Sequence, residues 1–185
     1  YTIAVRRGPL QRMWGSGTLT LSNGVDAPLR LVDIPLVTLV HEVLAAVNLQ
    51  GFAKTSGSKG LQLYVPLNTP CTHQQAADFA LAVGQVLERQ HRERVTTTMA
   101  KAVRPGKIFV DWSQNARFKT TIGVYSMRAR PEPTCSTPVT WSEVQACAEG
   151  GPELRFTWRE VLARVEELGD LFAPVLTLQQ TLPGG

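Results

Sequence analysis

Residues 52–68, FAKTSGSKGLQLYVPLN, restrict the fold more than any other stretch. Leu61, Leu63 and Val65 alternate with Gln62 and Tyr64, the period of two that belongs to a strand. Before them, serines and glycines crowd between Ser56 and Gly60, and Phe52–Lys54 reads as a second short strand. The spacing therefore predicts two strands joined by a tight, polar loop. Pro66 and the cluster Asn68–Pro70 are expected to end the second strand. A capping box, Thr72 with Gln75, opens a helix at once, with Phe79, Val83, Val86 and Leu87 on its apolar stripe. Along the chain strands and helices are interspersed without a strict βαβ repeat, which points to a mixed α/β fold.

The rest of the chain agrees. Pro35 starts a helical pattern with Leu36, Val40, Val43, Leu44 and Val47 on one side. Lys107–Asp111 and Thr120–Ser126 read as strands around a polar loop, Trp112–Lys119. Capping boxes at Thr140/Glu143 and Thr157/Glu160 open two more helices. The last is expected to bury Val161, Leu162, Val165 and Leu168 and to stop at Gly169. Residues 1–31 are less regular: Tyr1–Val5 and Thr18–Leu21 read as short strands, Gly15–Gly17 and Asn23–Gly24 as turns. With 185 residues, 43% of them hydrophobic, the chain has the size and apolar content of one domain with a real core.

Charge is unevenly placed. Lys54–Arg130 holds 12 Lys and Arg against 4 Asp and Glu, and the remainder after Arg130 holds 3 against 8. The middle of the chain therefore carries the positive field, which suits a polyanionic partner. Nothing in the sequence has the apolar length of a membrane span or the h-region of a signal peptide. Cys71, Cys135 and Cys147 are too scattered for a disulfide framework, and Cys71 with His73 lacks a second ligand pair for zinc. A reducing, cytoplasmic setting follows. His41, His73 and His91 fall on a polar helix side, in a turn and in a charged helix end, with no hydrolase order around them.

Three stretches carry candidate chemistry. In KTSGSKG the N–H groups near Gly57 and Gly60 can form an anion nest, with the Ser56 hydroxyl and the Lys59 ammonium beside them; from these residues alone a plain Gly/Ser turn with a solvated lysine is the simpler reading. In KIFVDWSQN, Asp111 stands at a strand end, where the backbone fixes a carboxylate for a hard cation, and Gln114 and Asn115 offer amides; the same residues make good turn chemistry. In FKTTIGVYSMRARP, Lys119, Arg128 and Arg130 are cations on or beside a strand, and the two arginines share a face. Paired arginines meet phosphate well, although edge arginines also serve solubility.

Taken together, KTSGSKGLQLYVPLN, GKIFVDWSQN, KTTIGVYSMRARP and STPVTW, in that order, resemble the polymerase domain of bacterial end-joining DNA ligases, within the archaeo-eukaryotic primase superfamily. The resemblance covers about residues 36–170. It implies one primase-polymerase domain over residues 1–185, with two β-sheets flanking a nucleotide cleft and helices outside. It implies a template-directed nucleotidyltransferase that fills gaps, and in some members primes, during repair of double-strand breaks. Asp111 matches the carboxylate that holds catalytic Mn²⁺ or Mg²⁺ in a two-metal mechanism. Ser56 and Lys59 match contacts to the incoming NTP or dNTP, Gln114 and Arg128 further nucleotide contacts, and Lys54, Thr55 and Lys119 other motif positions. The implied partners are 5′-phosphorylated DNA ends, gaps or template-primer, together with Ku and an ATP-dependent ligase, in the nucleoid of a bacterial cytoplasm.

Two departures stand beside the resemblance. Where the family carries Asp-Leu-Asp-Pro on a strand, this chain reads APLRLVDIPLV, and Asp33 is the only acid in it. Residues 1–31 match poorly, as if segments were joined near Asn23–Gly24 and Leu31–Val32. A catalytically inactive DNA-end-binding module of the same fold is therefore the alternative reading.

Overall fold

A computed structural model of the chain describes residues 15–22, 35–58 and 60–184, with side chains from Val37 onward. The expected strand Tyr1–Val5, the turn and junction at Asn23–Gly24, the junction at Leu31–Val32, Asp33 and Lys59 lie outside the described residues. Six strands form one sheet. They are β1 (Gly15–Ser22), β2 (Phe52–Thr55), β3 (Leu61–Thr69), β4 (Val95–Thr96), β5 (Ile108–Asp111) and β6 (Pro138–Val139), in the order β4-β5-β1-β3-β2-β6. Among the described residues only the β4–β5 pair is parallel. The helices are α1 (Pro35–Ala46), α2 (His73–Gln90), α3 (Trp141–Ala148) and α4 (Trp158–Leu168). Of the two sheets that the resemblance implies, the described residues form this one, with an isolated bridge, Met127–Cys135, beside it.

One face of the sheet meets the helices. Leu61, Leu63, Val65 and Leu67 of β3 join Ile108 and Val110 of β5 in a core with Val37, Val40 and Leu44 of α1, Ala80, Val83 and Leu87 of α2, and Val144 of α3. Gly84 lets α2 approach β5 closely, since a Cβ there would sit 2.8 Å from Val110 Cγ1. The other face is covered too. Tyr64 packs with Phe172 and Val175, and Gln62 is buried. β3 is thus a central strand with both faces buried.

All three capping boxes form as the spacing predicts, at Thr72/Gln75, Thr140/Glu143 and Thr157/Glu160. Such boxes depend on four neighbouring residues and on nothing distant. Expectations that depend on distant partners fare differently. β3 runs through Pro66 to Thr69, because Pro66 sits where no ladder partner needs its N–H. The β2 register ends at Tyr64, and the β1 register slips between Gly15 and Gly17. Gly15–Gly17 is accordingly strand, not turn. His73 is the first residue of α2 rather than part of a turn.

Thr120–Ser126 is not a strand. Tyr125 has φ 62°, and the segment crosses residues 134–136 through a few bonds, such as Tyr125 N–H to the Ser136 carbonyl at 2.7 Å. Periodicity also overstates the burial of α4. Val161 is buried, but Leu162, Val165 and Leu168 are exposed. An apolar stripe reports which side of a helix could be covered, not what covers it.

α4 is tied to α3 by charge instead. Arg164 donates to both carboxylate oxygens of Glu143, at 2.5 and 2.9 Å, and to the Pro138 carbonyl at 3.2 Å. Burial pushes the Glu143 carboxyl up; hydrogen bonds from Arg164 and Thr140 and the Arg164 charge outweigh it and hold the group below its ordinary 4.5. Its folded value being depressed, the stabilisation is complete well above 4.5 and disappears as pH falls through the folded value. Urea midpoints should therefore favour the parent over Glu143→Gln near neutral pH and converge in acid. A gap that stays constant with pH would refute the assignment.

Candidate functional site

Registers across the sheet align three of the polar side chains named above. Asp111 lies opposite Thr20, Thr20 opposite Gln62, and Gln62 opposite Lys54. Directly opposed residues point to the same face. Asp111, Gln62 and Lys54 therefore share the face away from α1 and α2. At a strand spacing of about 4.8 Å, the row spans roughly 14 Å from Asp111 to Lys54.

At one end of the row stands the Ser56–Gly60 loop. Ser56 N–H donates to the Gly60 carbonyl at 2.6 Å, and the Ser56 hydroxyl oxygen accepts from the N–H groups of Ser58 and Gly60 at 3.2 and 3.0 Å. The turn is thus closed by its own serine. Gly57, at φ 63°, lies against the 135–136 backbone, where a Cβ would come within 2.8 Å of Cys135 C and Ser136 N. The Thr134 hydroxyl donates to the Gly57 carbonyl at 2.6 Å.

Both arginines of the 120s segment converge on this loop. Arg128 Nε donates to the Ser56 carbonyl at 2.9 Å, and the Arg130 guanidinium donates to the Ser58 hydroxyl. Among the described residues no carboxylate lies within ion-pair range of either. Burial, and secondarily the neighbouring Arg130 charge, lowers the proton affinity of Arg128. Two guanidinium groups held together, with no acid beside them among the described residues, suit a multiply charged anion.

Lys54 and Thr55 point inward instead. Lys54, with 0% exposure, donates to Gln62 Oε1, to the Ser136 hydroxyl at 2.6 Å and to the Ile122 carbonyl at 3.0 Å. The Thr55 hydroxyl donates to the Cys135 carbonyl at 3.2 Å and accepts from Thr137 N–H at 3.0 Å. These two residues fasten the loop and the 120s segment to the sheet.

Asp111 stands at the other end of the row, at the close of β5. Its Oδ1 accepts from the Ser113 N–H at 3.2 Å and hydroxyl at 2.6 Å, capping the 3₁₀ turn Trp112–Asn115, and its Oδ2 accepts from Gln114 Nε2 at 2.8 Å. Gln114 and Lys119, with His73, line a small groove of about 260 Å³ next to it. Arg130 joins the site as its period-two pairing with Arg128 predicts, whereas Gln62 and His73 are additions that needed the register and the α2 start.

The resemblance implies a divalent metal at Asp111. Hard cations take six or more oxygen ligands, and a pair of them needs shared carboxylates. Asp111 has both oxygens engaged, and among the described residues no three His, Cys, Asp or Glu side chains come together. Of such a carboxylate set the described residues supply Asp111, and by themselves they do not complete a two-ion centre.

Comparison with known proteins gives a consistent set of matches. Residues 33–172 match the family described as LigD, primase-polymerase domain. The chain is 46% identical over 144 residues to the multifunctional non-homologous end joining protein LigD of Mycolicibacterium smegmatis, covering 76% of this chain and 18% of that protein. It is 47% identical over 133 residues to the corresponding DNA repair protein LigD of Mycobacterium tuberculosis, covering 71% of this chain and 17% of that one. The chain thus spans less than a fifth of the length of either relative. Among solved structures it resembles the polymerase domain of Mycobacterium tuberculosis Ligase D in complex with DNA, with a TM-score of 0.78 and 38% identity, over 86% of this chain and 54% of that one.

Proposed function

Because the chain belongs to the LigD primase-polymerase domain family, we propose that it is a template-directed nucleotidyltransferase acting in end-joining repair of double-strand breaks. One observation carries the reading: Arg128 and Arg130 meet on the Ser56–Gly60 loop, on the sheet that carries Asp111. The substrate it suits is a nucleoside triphosphate, NTP or dNTP. Its phosphates would lie against the two guanidinium groups, with Lys59 from the same loop, while Gln114 and Lys119 approach from the Asp111 end. The primer 3′-hydroxyl gives up its proton to solvent and attacks the α-phosphorus; the new P–O bond forms as the bond to the β-phosphate oxygen breaks, and pyrophosphate leaves. Arg128 and Arg130 neutralise the charge that gathers on the leaving group.

The relative solved with DNA supports DNA as the polymeric partner. A gapped or 5′-phosphorylated end is the form that this role requires, and Ku and an ATP-dependent ligase would act on the same end. The compartment is the bacterial cytoplasm, at the nucleoid; no described helix is long and apolar enough to cross a membrane.

The test is primer extension on gapped, 5′-phosphorylated DNA with Mn²⁺ and ribonucleotides. Extension by the chain supports the reading; none, beside a working polymerase control, overturns it. Arg128→Ala should raise the KM for nucleotide about tenfold or more while leaving DNA affinity nearly unchanged. A lone described carboxylate on the row favours a second reading, a non-catalytic module that binds DNA ends. It predicts salt-sensitive DNA binding with no incorporation.

A further inference from the structure

The groove beside Asp111 has a feature that nucleotide binding leaves unused. Phe118 is 89% exposed, the most exposed large hydrophobic side chain among the described residues. It is not on a loose tail. Ala116 N–H donates to the Ser113 carbonyl at 3.1 Å, and Lys119 N–H to the Ala116 carbonyl at 3.0 Å, so consecutive turns hold the loop onto the 3₁₀ segment that Asp111 caps. His73 braces the same segment, its Nδ1 2.9 Å from the Asn115 carbonyl. The ring has a cation on each side in sequence. The Arg117 guanidinium lies 5.6 Å from its centroid, and Lys119 lines the groove with it.

A bare aromatic ring, presented from a hydrogen-bonded loop between two cations in sequence, is the arrangement that grips single-stranded nucleic acid. Every base has a π-face to stack, and each step of the strand carries a phosphate for a cation. The basic field of residues 54–130 would draw the strand toward it. Burying the ring in the chain's own core would have been the ordinary way to remove its apolar surface from water, yet apart from Ala116 it shares the groove with the polar or charged His73, Gln114, Asn115, Arg117 and Lys119.

We infer that Phe118 is a stacking platform for an unpaired DNA base, with Arg117 holding a flanking phosphate. The inference rests on the DNA reading above and adds to it a preference for ends with a single-stranded tail. The ring belongs to the strand and not to the incoming nucleotide, whose phosphates the arginine loop takes.

The test uses the 185-residue chain and two fluorescent DNAs in anisotropy titrations, one blunt and one with a single-stranded tail. The tail also carries 2-aminopurine, whose emission is quenched on stacking. The parent chain should prefer the tailed DNA and change the 2-aminopurine signal. Phe118→Ala should weaken tail binding about fivefold to a hundredfold, leave blunt binding unchanged and abolish the signal; Phe118→Trp should restore both. Because the side chain is almost wholly exposed, neither change threatens the fold. A tail preference that survives Phe118→Ala overturns the inference, as does an equal loss on both DNAs. A parent that binds blunt DNA without tail preference overturns the inference but leaves the repair reading standing. A parent that binds neither DNA overturns both.

Discussion

Asp111→Asn is expected to abolish primer extension while leaving DNA affinity and stability close to those of the parent chain. Asparagine caps a helical turn about as well as aspartate, so the bonds from Ser113 to Oδ1 have a replacement acceptor. What the change removes is the negative charge. Asp111 is also bound by Gln114, and its two oxygens explain themselves as a turn cap without any chemistry. The pair of variants Asp111→Asn and Asp111→Ala separates the roles. Alanine loses both charge and cap and should cost about 1 kcal/mol of stability as well. If the asparagine variant extends primers at the parent rate, Asp111 is a structural cap and the assigned catalytic role is wrong. If both variants lose DNA binding as steeply as extension, the residue supports the fold of the groove.

Gly57→Ala is expected to be the most destabilising small substitution in the loop. Its φ of 63° lies in the left-handed region, where a side chain costs roughly 1–2 kcal/mol. The added Cβ would also press on two backbone atoms at 2.8 Å, and backbone cannot swing aside as a side-chain tip can. Overpacking of this kind adds about 1–3 kcal/mol. Together the effects remove a large part of the roughly 5–15 kcal/mol that holds a domain folded. Urea unfolding should show a lower midpoint with an unchanged slope. The surviving fold should also bind nucleotide more weakly, since the loop that receives Arg128 and Arg130 has moved. A midpoint within experimental error of the parent would mean that the 135–136 backbone yields at little cost.

The lysines show why sequence reading reaches only part of such a site. Lys54 and Lys59 stand five residues apart in one motif and look alike as point charges. Lys54 is buried on the sheet because its residue opposite is Gln62 and because Ser136 and Ile122, far along the chain, close over it. No spacing within the motif records that. Thr55 belongs to the same case, its hydroxyl answering residues 135 and 137. Arg128 and Arg130, by contrast, were readable as a pair, because two residues two apart on extended chain share a face whatever surrounds them. Their meeting with Ser56 and Ser58 was not readable, since it joins segments 72 residues apart.

The same division runs through the fold. The three capping boxes, the start of α1, the β2–loop–β3 unit and the stop at Gly169 are local consequences of side-chain bonding, hydrophobic period and allowed φ, and the sequence alone determines them. The passage of β3 through Pro66, the failure of Thr120–Ser126 to form a strand and the exposed stripe of α4 depend on which partners arrive and where they stop. Asp111 was visible as a carboxylate at a strand end. Its alignment with Gln62 and Lys54 across four strands, and the convergence of two arginines on one loop, only the tertiary structure decided. A sheet's register is set by packing and pairing over the whole face, and no window of sequence contains it.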